Sequence, residues 1–86
     1  MTFKSHVEEV LKDEINKTIR QQGYILETEF CAKICEKYSF ALYTVRPILR
    51  RTYPEMALIK RCLSNELKHF YGLEIKGCPI AYFLNR

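Results

Sequence analysis

Glu36-Lys37-Tyr38-Ser39-Phe40-Ala41-Leu42-Tyr43-Thr44-Val45-Arg46 is the stretch on which the fold turns. It reads as the end of one helix, a tight turn at Ser39-Phe40-Ala41, and a new helix from about Leu42. Upstream, Phe30, Cys31, Ile34, Cys35 and Tyr38 recur at helical spacing, with Thr28 placed to cap that helix. Downstream, Val45, Ile48 and Leu49 face inward. Two helices that meet steeply through a short turn need a small residue at their approach, and Cys35 occupies that place. Pro47 works against a regular second helix. Its ring clashes with the carbonyl four residues back, at about 3 kcal/mol, and biases Arg46 away from helical geometry. A helix beginning nearer Pro47, or kinked there, is the alternative to a straight run.

These eleven residues resemble the corresponding stretch of winged helix-turn-helix repressors, which often reads E-K-L-G-V-S-x-x-T-V-R. The resemblance covers about residues 24–50 and, more weakly, a hairpin wing at 73–84. Ser39 stands where the turn usually has Gly, and Leu42 is apolar where repressors tend to be polar. The resemblance implies that the second helix of the motif enters the major groove of double-stranded DNA. Projected onto this chain, the outward face is Tyr43, Arg46 and Arg50, flanked by Arg51. Arg46 would read guanine, since a guanidinium can donate to both O6 and N7. Thr44, Arg50 and Arg51 would contact phosphate. Lys76, at the tip of the hairpin, would be the wing's contact, and Lys60 and Arg61 would add charge nearby. The implied context is a small transcriptional or mobile-element regulator. Such proteins commonly pair to read two half-sites, so a homodimer is part of the expectation.

Working outward, Ser5 and Glu8 form a capping-box pair for an N-terminal helix. Val7, Val10, Leu11, Ile15 and Ile19 form its apolar stripe, and Gly23 its stop. Tyr24-Ile25-Leu26 fits a brief strand or an extended linker. From Pro54, the spacing of Met56, Ile59, Leu63, Leu67 and Phe70 describes another helical stripe, with Ser64-Asn65 as its weak point. The tail reads as a hairpin: Leu73–Lys76, a turn at Gly77-Cys78-Pro79, then Ile80–Leu84. The expected fold is mainly α with a small C-terminal β-hairpin, winged helix-turn-helix-like, in one domain over residues 1–86.

Composition narrows the function classes. The 86 residues are 48% hydrophobic and 28% charged, with 3 Gly and 3 Pro, which argues against disorder and low complexity. Net charge is only +4, but residues 1–40 hold six basic against seven acidic side chains, and residues 41–86 hold eight against three. The basic excess thus lies in the second half, which suits a polyanion or an acidic partner. No apolar run approaches the roughly 18 residues of a membrane span. The first residues lead into an acidic segment rather than a secretory core, so a cytoplasmic location is expected, with the four cysteines as thiols. Cys31 and Cys35 are four apart, yet no C-x-x-C knuckle occurs, so core thiols are expected rather than a metal site. His6 and His69 have no nucleophile or carboxylate at motif spacing, and no phosphate-binding glycine loop is present. Binding is expected, without catalysis or cofactor. The alternative is a protein-interaction module that uses Leu42, Tyr43 and Tyr53 as an apolar and aromatic patch and does not bind DNA.

Overall fold

In the computed structural model, which describes residues 2–85, helix α1 spans Phe3–Gln22. Its N-cap is Thr2, whose hydroxyl accepts from the Ser5 backbone N–H at 3.2 Å. The Ser5–Glu8 capping box is therefore corrected. The helix starts earlier, which brings Phe3 edge-on against Phe40 at 5.7 Å. Val7, Leu11 and Ile15 form the buried stripe. Gly23 ends the helix at φ +83°, a left-handed conformation that glycine adopts without strain, and donates to the Ile19 carbonyl at 2.9 Å.

Strand β1 (Tyr24–Leu26) runs directly into α2 (Glu27–Tyr38). The N-cap is Leu26, with no side-chain capping bond, so Thr28 lies inside the helix rather than capping it. Glu27 at the first helical position puts negative charge where the helix dipole favours it. Ser39 closes α2 in the left-handed region at φ +58°. The turn expected over Ser39–Ala41 then delivers α3 (Leu42–Thr52).

Helix α3 runs continuously through Pro47, so the helix neither breaks there nor begins nearer to it. The missing Pro47 N–H frees the carbonyl of Tyr43, which is 83% exposed. Water can satisfy that carbonyl, which removes much of the proline's cost. Pro47→Ala should restore the helical bond. It is expected to raise unfolding stability by about 1–2 kcal/mol in chemical denaturation, the helix gain exceeding the lost rigidity of the unfolded chain.

Beyond α3 the expected long helix is corrected. Tyr53–Met56 form a single 3-10 turn, Ala57 turns the chain at φ +56°, and Leu58–Cys62 are strand β2. The residues of the apparent stripe fall in three different elements, with Leu63 in the link between the second and third. Ser64, the expected weak point, is the N-cap of a short α4 (Asn65–Phe70), its hydroxyl accepting from Leu67 N–H at 3.2 Å. Strand β3 is Ile80–Leu84, as expected, but its hairpin partner is β2 and not Leu73–Lys76, which is not a strand. Pairing decided this: Ile80–Leu84 lies between β1 and β2 and is hydrogen-bonded on both sides.

The result is a mainly helical fold with a three-stranded antiparallel sheet in the order β1-β3-β2. Its two faces are buried differently. Tyr82, Ile25 and Leu58 join the main core with the inner residues of α1, α2 and α3. Leu26, Ala81 and Phe83 face the other way, covered by Leu63, Leu67, Leu73 and Ile75. Residues 63–79 therefore fold back over the sheet instead of projecting as a bare loop. Lys68 helps hold them there, its ammonium donating to the Gly77 carbonyl. Among the described residues no helix is long and apolar enough to cross a membrane.

Candidate nucleic-acid interface

The amphipathic α3 turns Val45, Ile48, Leu49 and Thr52 into the core and leaves its other side outside. Tyr43, Pro47, Arg50 and Arg51 are exposed, while Thr44 and Arg46 are half-buried. Between this helix and the start of α1 runs a surface groove lined by Lys4, Tyr43, Thr44, Pro47, Ile48 and Arg51. Lys4 was not among the expected site residues. Its only signal in the sequence is a cation one turn ahead of the helix's acidic run.

Two of the arginines are committed within the fold. Glu27 is only 4% exposed and sits beneath α3. Arg50 grips it with a fork, Nη2 donating to Oε1 at 2.8 Å and Nε to Oε2 at 3.5 Å. The Tyr82 hydroxyl donates to Oε2 at 2.5 Å. The Nε of Arg46 lies 3.5 Å from Oε1, a charge contact without hydrogen-bond geometry, and has no hydrogen-bond partner among the described residues. Two cations thus share one carboxylate, and the cluster carries a single net positive charge. The arginine ends stay partly in water, with 38% of the Arg46 side chain and 46% of Arg50 exposed. Arg51 meets Glu8 of α1 at 3.5 Å through an exposed and correspondingly weak ion pair.

The remaining expected residues separate. Lys60 is the register partner of Tyr82, and Arg61 of Ala81. Paired residues in an antiparallel ladder share a face, so Lys60 lies on the face toward α3 and Arg61 on the opposite one. Both are exposed and have no ion-pair partner among the described residues. Lys76 is exposed in the 63–79 segment over the outer face, not at the tip of a hairpin strand. Tyr43, Thr44 and Arg51 line one groove with Lys4, Arg46 and Arg50 meet at Glu27 on the same helix, and Lys60 and Arg61 lie on opposite faces of the sheet. Of the apolar alternative, Leu42 is 44% exposed. Tyr53 is half-buried, with its ring 4.9 Å from that of Tyr82, so it contributes little to an open patch.

The cysteines divide too. Cys31 is in the core and Cys35 packs at its margin, but Cys62 and Cys78 are exposed, which corrects the expectation of core thiols for those two. Among the described residues no three metal-ligating side chains gather.

Ionisation follows from these contacts. Burial pushes the Glu27 carboxyl up, but the hydrogen bonds from Arg50 and Tyr82 and the charges of Arg50 and Arg46 outweigh it and hold it below 4.5. Glu14 is also held below 4.5, by a hydrogen bond from Lys37 against a burial penalty, with Tyr38 assisting. Carboxyls depressed in the folded state contribute stability that is complete above their unfolded value and lost as pH falls through the folded one. The melting temperature should hold down to pH 4.5 and drop below it. At the other end, burial lifts the Cys31 thiol from 9.0 to about 11. Burial and the bond to Glu27 lift Tyr82 above 10.0. Both contributions are complete below pH 9; that of Cys31 fades as pH rises through about 11, and that of Tyr82 is lost only at still higher pH. A thermal melt series across pH checks both limbs.

Comparison of the chain with protein-family models, with curated proteins and with solved structures finds no match.

Proposed function

We propose that the chain is a winged helix-turn-helix-like domain that binds double-stranded DNA through α3, as a small transcriptional or mobile-element regulator. The observation that carries the reading is the outer side of α3, which carries Tyr43, Arg46, Arg50 and Arg51 and lines a groove with Lys4. The element order supports it: helix, short strand, two helices joined by a three-residue turn, then two strands completing a sheet. Tyr43 and Thr44, in the first turn of α3, suit base-edge contact, and the cations suit phosphate.

Binding of the chain to mixed-sequence duplex DNA over a salt series tests the reading. Affinity should fall steeply as salt rises, because each neutralised phosphate releases counterions. No binding even at 10 mM-scale salt, on the order of the lowest screening practicable, would overturn it. A second reading is favoured by one observation, the exposure of Leu42 beside Tyr43 at the start of α3. In that reading the same helix end docks on another protein, and Leu42→Ala would weaken that complex while DNA is ignored.

A further inference from the structure

The exposed thiols Cys62 and Cys78 stand at the two ends of the segment that covers the outer sheet face. Cys62 ends β2 and is the register partner of Ile80 in β3. The next residue, Leu63, donates its N–H to the Pro79 carbonyl at 2.8 Å, so the ladder closes the neck of the segment. Cys78, two residues before Ile80, is thereby the diagonal neighbour of Cys62. Diagonal Cα atoms in a regular ladder lie roughly 7–8 Å apart, slightly beyond the ~4.4–6.8 Å that a disulfide needs. Here the chain has already left regular strand geometry at residue 78, and the Cys62 thiol reaches the Cys78 carbonyl at 3.7 Å. Gly77, at φ +82° with open space where a Cβ would stand, turns the chain just ahead of Cys78, which is itself exposed outside the core.

We propose that Cys62 and Cys78 form a reversible disulfide that clasps residues 63–79 against the end of β2. The oxidant class is a small-molecule disulfide such as oxidised glutathione. One protein thiolate attacks a sulfur of the oxidant, breaking its S–S bond and releasing one small-molecule thiolate. The second protein thiolate attacks the mixed disulfide, forms the Cys62–Cys78 bond and releases the second. The two protein thiol protons end on the two released thiols, and the protein gives up two electrons. The other two cysteines do not compete. Cys31 is wholly buried with its thiol pushed to about 11, and Cys35 packs at the core margin on α2.

The clasp does not depend on DNA binding. Intact-mass and peptide mapping of the folded full chain after treatment with oxidised glutathione test it. The expected result is a loss of two hydrogens, a linked peptide joining Cys62 and Cys78, and reversal by dithiothreitol. Protease cleavage within 71–79 should slow by about tenfold or more in the oxidised form, since closing the loop restricts its opening. Cys62→Ser should abolish the linkage while leaving the thermal melt of the reduced protein unchanged, because the side chain is exposed. Separate stable glutathione adducts on Cys62 and Cys78, linkage of either to Cys35, or disulfides only between chains would each overturn it.

Discussion

Glu27→Ala is expected to lower unfolding stability by about 2–4 kcal/mol. Breaking a buried ion pair from one side commonly costs 3–5 kcal/mol. The lower figure applies because Arg46 and Arg50 are partly exposed and can be rewetted once the carboxylate is gone. Most of the loss falls on Tyr82. Its ring is fully buried, and its hydroxyl would keep no acceptor, a deficit of about 1–3 kcal/mol. A cavity at the start of α2 adds to it. Glu27→Gln separates the causes, because the amide fills the same volume and can still accept one bond while removing the charge. A double-mutant cycle of Glu27→Gln with Tyr82→Phe should show coupling of about 0.5–3 kcal/mol. Stability of Glu27→Ala within about 0.5 kcal/mol of the parent, the usual range for an uninvolved surface site, would mean that the carboxylate does not hold α3 to the sheet. Acid melts give an independent check, since the drop below pH 4.5 should shrink in either Glu27 variant.

Glu27 also marks the limit of what could be read from the sequence. Helix α1, the second helix, its turn and α3 were legible because their signals are local: a glycine stop, a tight turn, apolar spacing; Tyr24–Leu26 read equally as a strand or an extended linker. Strand β2 was not, because Leu58–Cys62 owes its conformation to β3, some twenty residues away. The misleading stripe from Met56 to Phe70 arose because a 3-10 turn, a strand and a short helix happened to place apolar residues at compatible intervals. For the site, the division of charge along the chain was accurate as arithmetic and misleading as geometry. Glu27 belongs to the acidic half by number but sits under the basic half in space, where it neutralises part of Arg46 and Arg50. The signal for it is faint: a carboxylate directly after an apolar strand, in a protein whose later helix carries two arginines four residues apart. Pro47 shows the reverse case. Proline is costly inside a helix as a rule, and the exposure that relaxes that cost here becomes visible only with the fold.

The commitment of Arg46 and Arg50 changes which side chains should govern DNA binding. Arg51→Ala combined with Lys60→Ala is expected to weaken binding to mixed-sequence duplex by about tenfold or more at low salt. It should also flatten the slope of log affinity against log salt by about 2, one for each phosphate no longer neutralised. The melting temperature should stay unchanged, because Lys60 has no ion-pair partner among the described residues and the Arg51–Glu8 pair is exposed. Arg50→Ala should lower affinity and stability together, since the same guanidinium grips Glu27. Tyr43→Ala should leave both the melt and the salt slope alone and reduce discrimination between duplex sequences, as a group at the groove end of α3 would. If Arg51→Ala/Lys60→Ala binds with the parent's slope, Arg51 and Lys60 do not neutralise phosphate. Arg61 and Lys76 are then the ones to test, on a surface α3 does not share with Arg61. The distinction rests on register alone: Lys60 and Arg61 are adjacent in the chain, and the pleat sends them to opposite faces.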